Sequence, residues 1–396
     1  MKIEKSPPFK EILIKYPKIV EQLHKNGFKT PTPIQHKALN YALSTQDLLI
    51  QAPTGSGKTL IYGLKMLVEH SKDQISGMNY IILAPNTLLV SQIQSMISQI
   101  IPEDSNFKSL DLKKVTLNTQ ILSGVNCIIS TPKILAEQLK TDAEFVSQVT
   151  TFILDEADIM LTKEYLENLE NIIQYLPEER QDLLFSATYT KEMGQIAREY
   201  LHNPKVIELP SVVQKSQISQ LIHIVDSKQK LSLLHHTLKH LQFGLLLIFV
   251  NRIEHIKQVE IIVKHLGYKF KSISSATSEF ERSRILQEFK ESKFDILIAT
   301  DLVSRGIDVP QISHVINYSI PQDHTKYVHR IGRATRHTSK GTTINFISKD
   351  DVDKFKQVLQ EYKIEFKVKQ TPSDLEELPK PIMKKIELKI QHKKKK

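Results

Sequence analysis

The stretch that decides the fold is residues 47–59, DLLIQAPTGSGKT, in which an apolar run leads into a glycine-rich loop. The run predicts a short buried strand, and the following LIYGLKMLVEH carries apolar residues at helical spacing. A strand, a glycine-rich loop and a helix in this order are the context that a phosphate-binding loop requires. The alternative is a glycine-rich turn without a ligand, and the first loop position is Ala52, where the general pattern has glycine.

Each position of this loop has an expected role toward a nucleotide. Gly55 and Gly57 would let backbone N–H groups close around phosphate oxygens, and Lys58 would place a positive charge on the outer phosphates. The Thr59 hydroxyl would hold Mg²⁺. The loop residues expected to contact the nucleotide are Thr54, Gly55, Ser56, Gly57, Lys58 and Thr59.

A second apolar run ends in acidic residues, since residues 152–161 read FILDEADIML. An ionised Asp155 or Glu156 at the end of a buried strand loses hydration energy unless a positive charge pairs with it. Strand ends of this kind hold Mg²⁺ together with substrate phosphates, whereas the alternative is a helix start, where the helix dipole favours acids. Together with the phosphate loop, Asp155 is expected to hold Mg²⁺ and Glu156 to orient and deprotonate the attacking water.

The length of 396 residues allows two domains that each bury a core. Aliphatic runs such as YIILAP, TFILDEAD and DLLFSAT alternate with helical patterns, and the alternation restarts with LLLIFVN and FDILIATD. Such alternation favours βαβ units and parallel sheets. The predicted fold class is therefore α/β with two tandem domains. The predicted parts are a first domain at 1–210, a linker at 211–218, a second domain at 219–368 and a basic tail, expected to be disordered, at 369–396.

The formal net charge of +10 is concentrated at the end of the chain, where residues 380–396 contain eight Lys and one Glu. Such runs bind polyanions without sequence preference or act as nuclear import signals. No apolar run approaches the roughly 18 residues of a membrane span, and no signal-peptide pattern opens the chain. We therefore expect a soluble intracellular protein, nuclear, nucleolar or cytoplasmic, without a membrane partner. Cys127, the only cysteine, is expected to pack in the core.

Five segments of the chain resemble, in order and at similar spacing, the motifs of the DEAD-box ATP-dependent RNA helicases of superfamily 2. They are APTGSGKT at 52–59, DEAD at 155–158, SAT at 186–188, ATDLVSRGID at 299–308 and HRIGRATR at 329–336. The resemblance covers about residues 9–365. It implies two RecA-like domains that use ATP and Mg²⁺ at the cleft between them, and a monomer that binds single-stranded or short duplex RNA and unwinds it locally. A protein activator that places the chain on its RNA also stays open.

The resemblance also assigns residues outside the phosphate loop and the acidic strand end. Gln35 can pair with the N6 and N7 edge of adenine, with Phe28 and Phe9 as aromatic surface. Arg333 and Arg336, three apart and on one face if the segment is helical, would neutralise the γ-phosphate as arginine fingers. The remaining expected roles are Asp308 for the ribose; Asp158, Ser186, Thr188, Arg305 and His329 for coupling between the domains; and Pro85, Thr131, Pro132, Arg282, Thr300 and Arg330 for RNA.

Departures from the family pattern fall on the expected RNA surface. Where most members read Pro-Thr-Arg-Glu-Leu-Ala, residues 85–90 read PNTLLV, and the usual Thr-Pro-Gly-Arg appears as TPKI at 131–134. Residues 113–118 lack a Gly-Gly pair, and SSATSEFER at 274–282 keeps Arg282 but lacks the common His-Gly and Gln. Lost charged contacts lower RNA affinity through counterion release, which the lysine tail could restore.

Two functions therefore stay open at the level of the sequence. The first is an ATP-dependent RNA helicase, with ribosome or ribonucleoprotein assembly as a setting. The second is an ATP-dependent RNA clamp or assembly scaffold with little unwinding activity. A DNA helicase is a distant third, because the motif set resembles RNA enzymes and contacts to the 2′-OH would distinguish RNA from DNA.

Overall fold

The protein forms two compact units, Met1–Val212 and Val213–Lys396. The computed structural model describes residues 6–53, 55–73, 77–112, 122–188, 191–209, 218–301, 312–321, 324–334, 341–361, 364–372, 375 and 378–379. Residues 211–217 of the predicted linker therefore lie outside the described residues.

The first unit is built on a sheet in which every neighbouring pair of described strands is parallel. Its strands are β1 Leu48–Gln51, β2 Tyr80–Leu83, β3 Ser109–Asp111, β4 Cys127–Ser130, β5 Thr151–Asp155, β6 Gln181–Ser186 and β7 Lys205–Glu208. They lie in the order β3-β4-β2-β5-β6-β1-β7. Strands β2, β4, β5 and β6 are buried along their whole length, which explains why consecutive apolar residues stand in each of them rather than an alternating pattern.

Helices cover both faces of this sheet. They are α1 Phe9–Ile12, α2 Pro17–Lys25, α3 Pro33–Ala42, α4 Lys58–Asp73, α5 Thr87–Ile100, α6 Pro132–Leu139, α7 Ala157–Met160, α8 Lys163–Ile173 and α9 Lys191–Tyr200. Ile50 of β1 packs in a cluster with residues of α1 to α5, whereas Leu49 packs in a separate cluster with residues of α6 to α9. Because successive strand residues point to opposite faces, each strand contributes to two hydrophobic layers.

The second unit repeats this architecture, and its neighbouring described strands are also all parallel. The strands are β8 Ile218–Ile224, β9 Leu245–Phe249, β10 Phe270–Ile273, β11 Ile296–Ala299, β12 Ile312–Asn317, β13 Gly341–Ile347 and β14 Lys367–Val368, in the order β10-β11-β9-β12-β13-β8-β14. The helices are α10 Lys230–His240, α11 Ile253–His265, α12 Glu279–Lys290, α13 His324–Ile331 and α14 Val352–Glu361. The predicted fold class, two tandem α/β domains with parallel sheets, is confirmed.

The packed part of the second unit extends beyond the predicted boundary at residue 368. The Lys369 N–H donates to the Ile222 carbonyl, and the Thr371 hydroxyl donates to the Ile224 carbonyl at 2.8 Å. Leu378 is buried in the hydrophobic core of this unit. The prediction of a disordered tail from residue 369 is therefore wrong for these residues, while residues 380–396 lie outside the described part.

Two further observations concern the chain as a whole. Cys127 is fully buried on β4, and burial raises the pKa of its thiol, as expected for a packing residue. Among the described residues, no helix combines the length and the apolar character needed to cross a membrane.

Candidate nucleotide site

The phosphate loop connects the end of β1 to the start of α4. Gly57 has a positive φ of 90°, and a Cβ atom there would lie 2.2 Å from the Gln35 Nε2 atom, so only glycine fits this position. Lys58 Nζ donates to the Ala52 carbonyl at 2.8 Å and to the Pro53 carbonyl at 3.3 Å. The buried ammonium group thus uses two of its three N–H donors within its own loop.

Gln35 joins the start of α3 to this loop. Its Oε1 accepts from the Thr32 N–H at 2.8 Å, and the Thr32 hydroxyl accepts from the Gln35 N–H, which together form a capping box. Gln35 Nε2 donates to the Gly57 carbonyl at 2.9 Å, and the Thr32 hydroxyl donates to the Ser56 carbonyl at 2.8 Å. The adenine contact stays a prediction. The Thr-x-x-Gln pattern could have predicted the capping box, whose two side chains also bind the carbonyls of the loop.

The acidic strand end lies at the carboxyl edge of the same sheet. Asp155 Oδ2 accepts from the Tyr62 hydroxyl at 2.8 Å, and Oδ1 accepts from the Glu156 N–H at 3.0 Å. Burial and the charge of Glu156 raise the pKa of Asp155 to about 6, although Lys58 and the Tyr62 hydrogen bond act in the opposite direction. Glu156 has a left-handed backbone, with φ 60° and ψ 48°, an uncommon conformation for a residue other than glycine.

The donor atoms at this edge suit Mg²⁺. Asp155 offers a carboxylate and Thr59 a hydroxyl, and Mg²⁺ prefers such hard oxygen ligands together with substrate phosphates. Lys58 is close enough to lower the pKa of Asp155, which places the phosphate-loop charge and the carboxylate in one site. The residues present therefore fit a magnesium nucleotide. Thr54, another predicted contact, lies outside the described residues.

Asp158 and the SAT segment are directly connected. The Thr188 hydroxyl donates to Asp158 Oδ2 at 2.6 Å, and the Ser186 hydroxyl accepts from the Thr188 N–H at 3.2 Å. All three residues are buried, and Ser186 is the last residue of β6, which pairs with β5. The link between the two segments is thus present, and its role in coupling the domains stays a prediction.

Arg330 contradicts its predicted role. The side chain is fully buried and forms an ion pair with Asp301. It also donates to the Ser319 carbonyl at 2.6 Å and to Asn251 Oδ1 at 2.9 Å, and it stacks over Phe249. Because its donors are used inside the second unit, the prediction that Arg330 contacts RNA is wrong.

Arg333, one of the two predicted arginine fingers, does not lie on a helix. Helix α13 ends at Ile331, so Arg333 lies in the turn beyond it, where its Nε donates to the His329 carbonyl at 3.1 Å. Both His329 and Arg333 are buried. Arg336 lies outside the described residues, as do Arg305 and Asp308.

The other predicted RNA contacts have local structural roles. Thr131 caps α6 by accepting from the Ile134 N–H, and Pro132 is the first residue of that helix. Arg282 Nη2 donates to the Thr277 carbonyl. The predicted contacts of these residues with RNA are untested, and the same holds for Pro85, whose carbonyl accepts from the Tyr165 hydroxyl, and Thr300, whose N–H donates to the Ile273 carbonyl.

The two expected aromatic residues differ in their environment. Phe9 is fully buried in the core of the first unit, so its prediction as aromatic surface for the nucleotide is wrong. Phe28 is half-buried and packs against the same core, and its nucleotide contact stays a prediction. Tyr62, in contrast, was missed, because an aromatic residue at helical spacing looks like an ordinary core residue.

Two parallel sheets covered by helices, with a phosphate loop and an acidic strand end on one of them, define a tandem RecA-like protein. In structural comparison, S. cerevisiae Dbp5 bound to RNA and ADP BeF3 matches with a TM-score of 0.83 at 24% identity, covering 96% of this chain and 99% of that chain. Mss116p bound to ssRNA and AMP-PNP matches with a TM-score of 0.82 at 21% identity, covering 98% and 83%. These likenesses show the fold.

Sequence comparisons identify the family. Residues 32–196 match the DEAD/DEAH box helicase model, and residues 229–338 match the helicase conserved C-terminal domain. The chain is 30% identical to the ATP-dependent RNA helicase FAL1 of Kluyveromyces lactis, over 95% of this chain and 96% of that protein. It is 32% identical to the ATP-dependent RNA helicase CshA of Listeria monocytogenes, over 83% of this chain but 64% of that protein. The chain belongs to the DEAD-box helicase family.

Proposed function

We propose that the protein is an ATP-dependent RNA helicase, which hydrolyses ATP with bound Mg²⁺ at the cleft between its domains while it binds RNA and unwinds it locally. The observation that carries this proposal is the meeting of the phosphate loop and the acidic strand end, where the Tyr62 hydroxyl on α4, the helix that begins at Lys58, donates to Asp155 Oδ2 at 2.8 Å. The RNA part is supported by relatives that bear the name ATP-dependent RNA helicase.

In the proposed reaction, Lys58 binds the outer phosphates, and Thr59 and Asp155 hold Mg²⁺. The bound Mg²⁺ offsets the negative charge of the phosphates and of the transition state. Glu156, which directly follows β5 and has a left-handed backbone, accepts the proton of the attacking water. The proposal also includes Arg333 and Arg336 as arginine fingers, and it keeps Arg305 and Asp308 in the interdomain and ribose roles.

ATP would offer phosphate oxygens to Lys58, whose ammonium group donates to the Ala52 and Pro53 carbonyls and has a third N–H for a phosphate. In the hydrogen bond to phosphate both donor and acceptor are charged, which favours this contact. Gln35 holds the Gly57 carbonyl and Thr32 holds the Ser56 carbonyl, so a movement of the loop acts on the start of α3. In this proposal the position of the start of α3 depends on whether a nucleotide is bound.

The test is the ATPase rate of the full chain with and without single-stranded RNA, beside a Glu156→Gln variant. We expect RNA to stimulate the wild-type rate and Glu156→Gln to retain ATP binding while its rate falls by about 10²–10⁴-fold, because the proton acceptor is lost. Glu164→Gln, an exposed position in the first turn of α8, is the matched control and should behave as wild type. A Glu156→Gln rate equal to that of the control would contradict the proposed role.

A second candidate is an ATP-dependent RNA clamp or assembly scaffold with little unwinding activity. It is favoured by the start of α5, where the family pattern has Arg and Glu. Here Leu88 is buried and Asn86 caps the helix through the Leu89 N–H at 3.0 Å, so this turn presents no charge. Lys133, exposed at the start of α6, is a cation that remains in TPKI, the segment where the family pattern has Thr-Pro-Gly-Arg. RNA-stimulated ATP turnover without separation of a short duplex would select the clamp.

The proposed partner is single-stranded or short duplex RNA, bound by a monomer. A protein partner belongs to the proposal because one solved structure holds Dbp5 together with Gle1 and IP6. The lysine-rich residues 380–396 would add affinity without sequence preference. Deleting them should lower RNA affinity and weaken its dependence on salt, and unchanged affinity at moderate salt would rule out this role. We also propose that the protein acts in ribosome assembly.

A further inference from the structure

We infer that Tyr62 is a positioning residue for the Mg²⁺ site, an inference that rests on the proposed function. Tyr62 lies on α4, three residues after Thr59, and its hydroxyl contacts Asp155, one of the two residues expected to hold the cation. It donates to Asp155 Oδ2 at 2.8 Å, and the Thr59 side chain lies close enough to act on the pKa of the same phenol. One phenol group therefore connects the helix that follows the phosphate loop to the acidic end of β5.

The ring of Tyr62 is held by packing. Its side chain is fully buried in the cluster formed by α1 to α5 and the sheet. Phe185 on β6 meets it edge to face, with 5.1 Å between the ring centroids. Because the ring lies between α4 and the strand next to β5, the hydroxyl reaches Asp155 from a fixed direction.

This contact leaves room for a cation at the carboxylate. Each Asp155 oxygen accepts one hydrogen bond, from the Tyr62 hydroxyl and from the Glu156 N–H, and keeps a further lone pair for Mg²⁺ or its bound water. Residues that hydrogen-bond to a metal ligand fix its orientation, and their loss costs about 10–100-fold in metal affinity. The variant Tyr62→Phe removes the hydroxyl and retains the ring that fills the core.

The matched control is Tyr80→Phe. Tyr80 is also fully buried in the first unit, and its hydroxyl donates to a different carboxylate, Glu69 Oε2, at 3.1 Å. Binding of a fluorescent ATP analogue to the full chain is measured while Mg²⁺ is titrated, and again in EDTA. For Tyr62→Phe we expect the Mg²⁺ concentration at half-saturation to rise about 10–100-fold, whereas Tyr80→Phe keeps the wild-type value. Affinity in EDTA should be the same for all three proteins.

Each outcome decides a different point. Equal Mg²⁺ dependence in Tyr62→Phe and Tyr80→Phe would overturn the inference while leaving the proposed function intact. An equal loss of affinity with Mg²⁺ and in EDTA would also overturn it, because Tyr62 would then support only the fold of the loop. If the wild-type chain binds the ATP analogue without any dependence on Mg²⁺, the proposed function itself fails. Far-ultraviolet circular dichroism checks that both variants keep the wild-type fold.

Discussion

Replacing Arg330 by Met should destabilise the second unit strongly. Methionine keeps the apolar stem over Phe249 but removes the partner of Asp301 and the donors to the Ser319 carbonyl and to Asn251. Breaking a buried ion pair by removing one partner costs about 3–5 kcal/mol. Because the Asp301 side chain retains 26% of its exposure, water offsets part of this cost, and we expect a value near the lower end of that range.

Hydrogen exchange of the intact chain measures this loss in each unit separately. Amides of β12 and β13 in wild type exchange through openings of the second unit, so a loss of about 3 kcal/mol should accelerate them about 100-fold. Amides of β5 and β6 serve as an internal reference, since they belong to the first unit. Arg284→Met, which changes a half-exposed arginine on α12, is the matched control and should change exchange little.

Two results would refute this account of Arg330. Unchanged exchange in β12 and β13 would mean that the buried contacts contribute nothing to stability. Lower RNA affinity without any change in exchange would instead restore the surface role predicted from the sequence. Adding Asp301→Asn to the Arg330→Met variant should recover part of the loss, because the carboxylate that has lost the Arg330 guanidinium is then replaced by a neutral amide.

Three further predictions address the nucleotide site and the end of the second unit. Gln35→Ala should lower the free energy of unfolding by about 1–2 kcal/mol through loss of the capping box, and a urea titration in which it equals wild type would contradict this. Because the pKa of Asp155 is raised to about 6 and Mg²⁺ needs the ionised carboxylate, affinity for ATP with Mg²⁺ should fall as the pH drops through 6. The same titration in EDTA measures the effect of protonating the nucleotide itself, and an affinity with Mg²⁺ that stays constant from pH 7 to 5 would refute the prediction. Ending the chain at residue 379 should leave exchange in β8 unchanged, whereas ending it at 366 removes β14 and Leu378 and should cost about 2 kcal/mol or more; equal exchange in both truncations would show that these contacts do not matter.

The architecture was predictable because its signals are local. Strands buried on both faces must be continuous apolar runs, and glycine at 55 and 57 marks the turn between β1 and α4. The boundary at residue 368 was not predictable in the same way. Strand β14 contains two residues, and Leu378 has only Leu375 as an apolar companion in its segment, so both patterns are too short to give a periodic signal.

The same difference between local and distant signals applies to the site residues. Lys58 and Asp155 were predictable because short segments place each of them at the carboxyl edge of a sheet. Arg330 was not, because its partners Asp301 and Asn251 lie 29 and 79 positions away in the sequence, and no local pattern shows that the guanidinium is enclosed. Tyr62 was missed for a related reason, since its contact with Asp155 joins residues 93 positions apart.

The single buried cysteine makes the chain suited to labelling. The thiolate is the reactive form of cysteine, and Cys127 is fully enclosed with a raised pKa, so thiol reagents should leave the wild-type protein unmodified. One cysteine introduced on the exposed surface of each unit would then carry a donor and an acceptor dye without interference from the native thiol. Energy transfer between the dyes would report the distance between the units as ATP and RNA are added, on the same chain that is used in the ATPase assay.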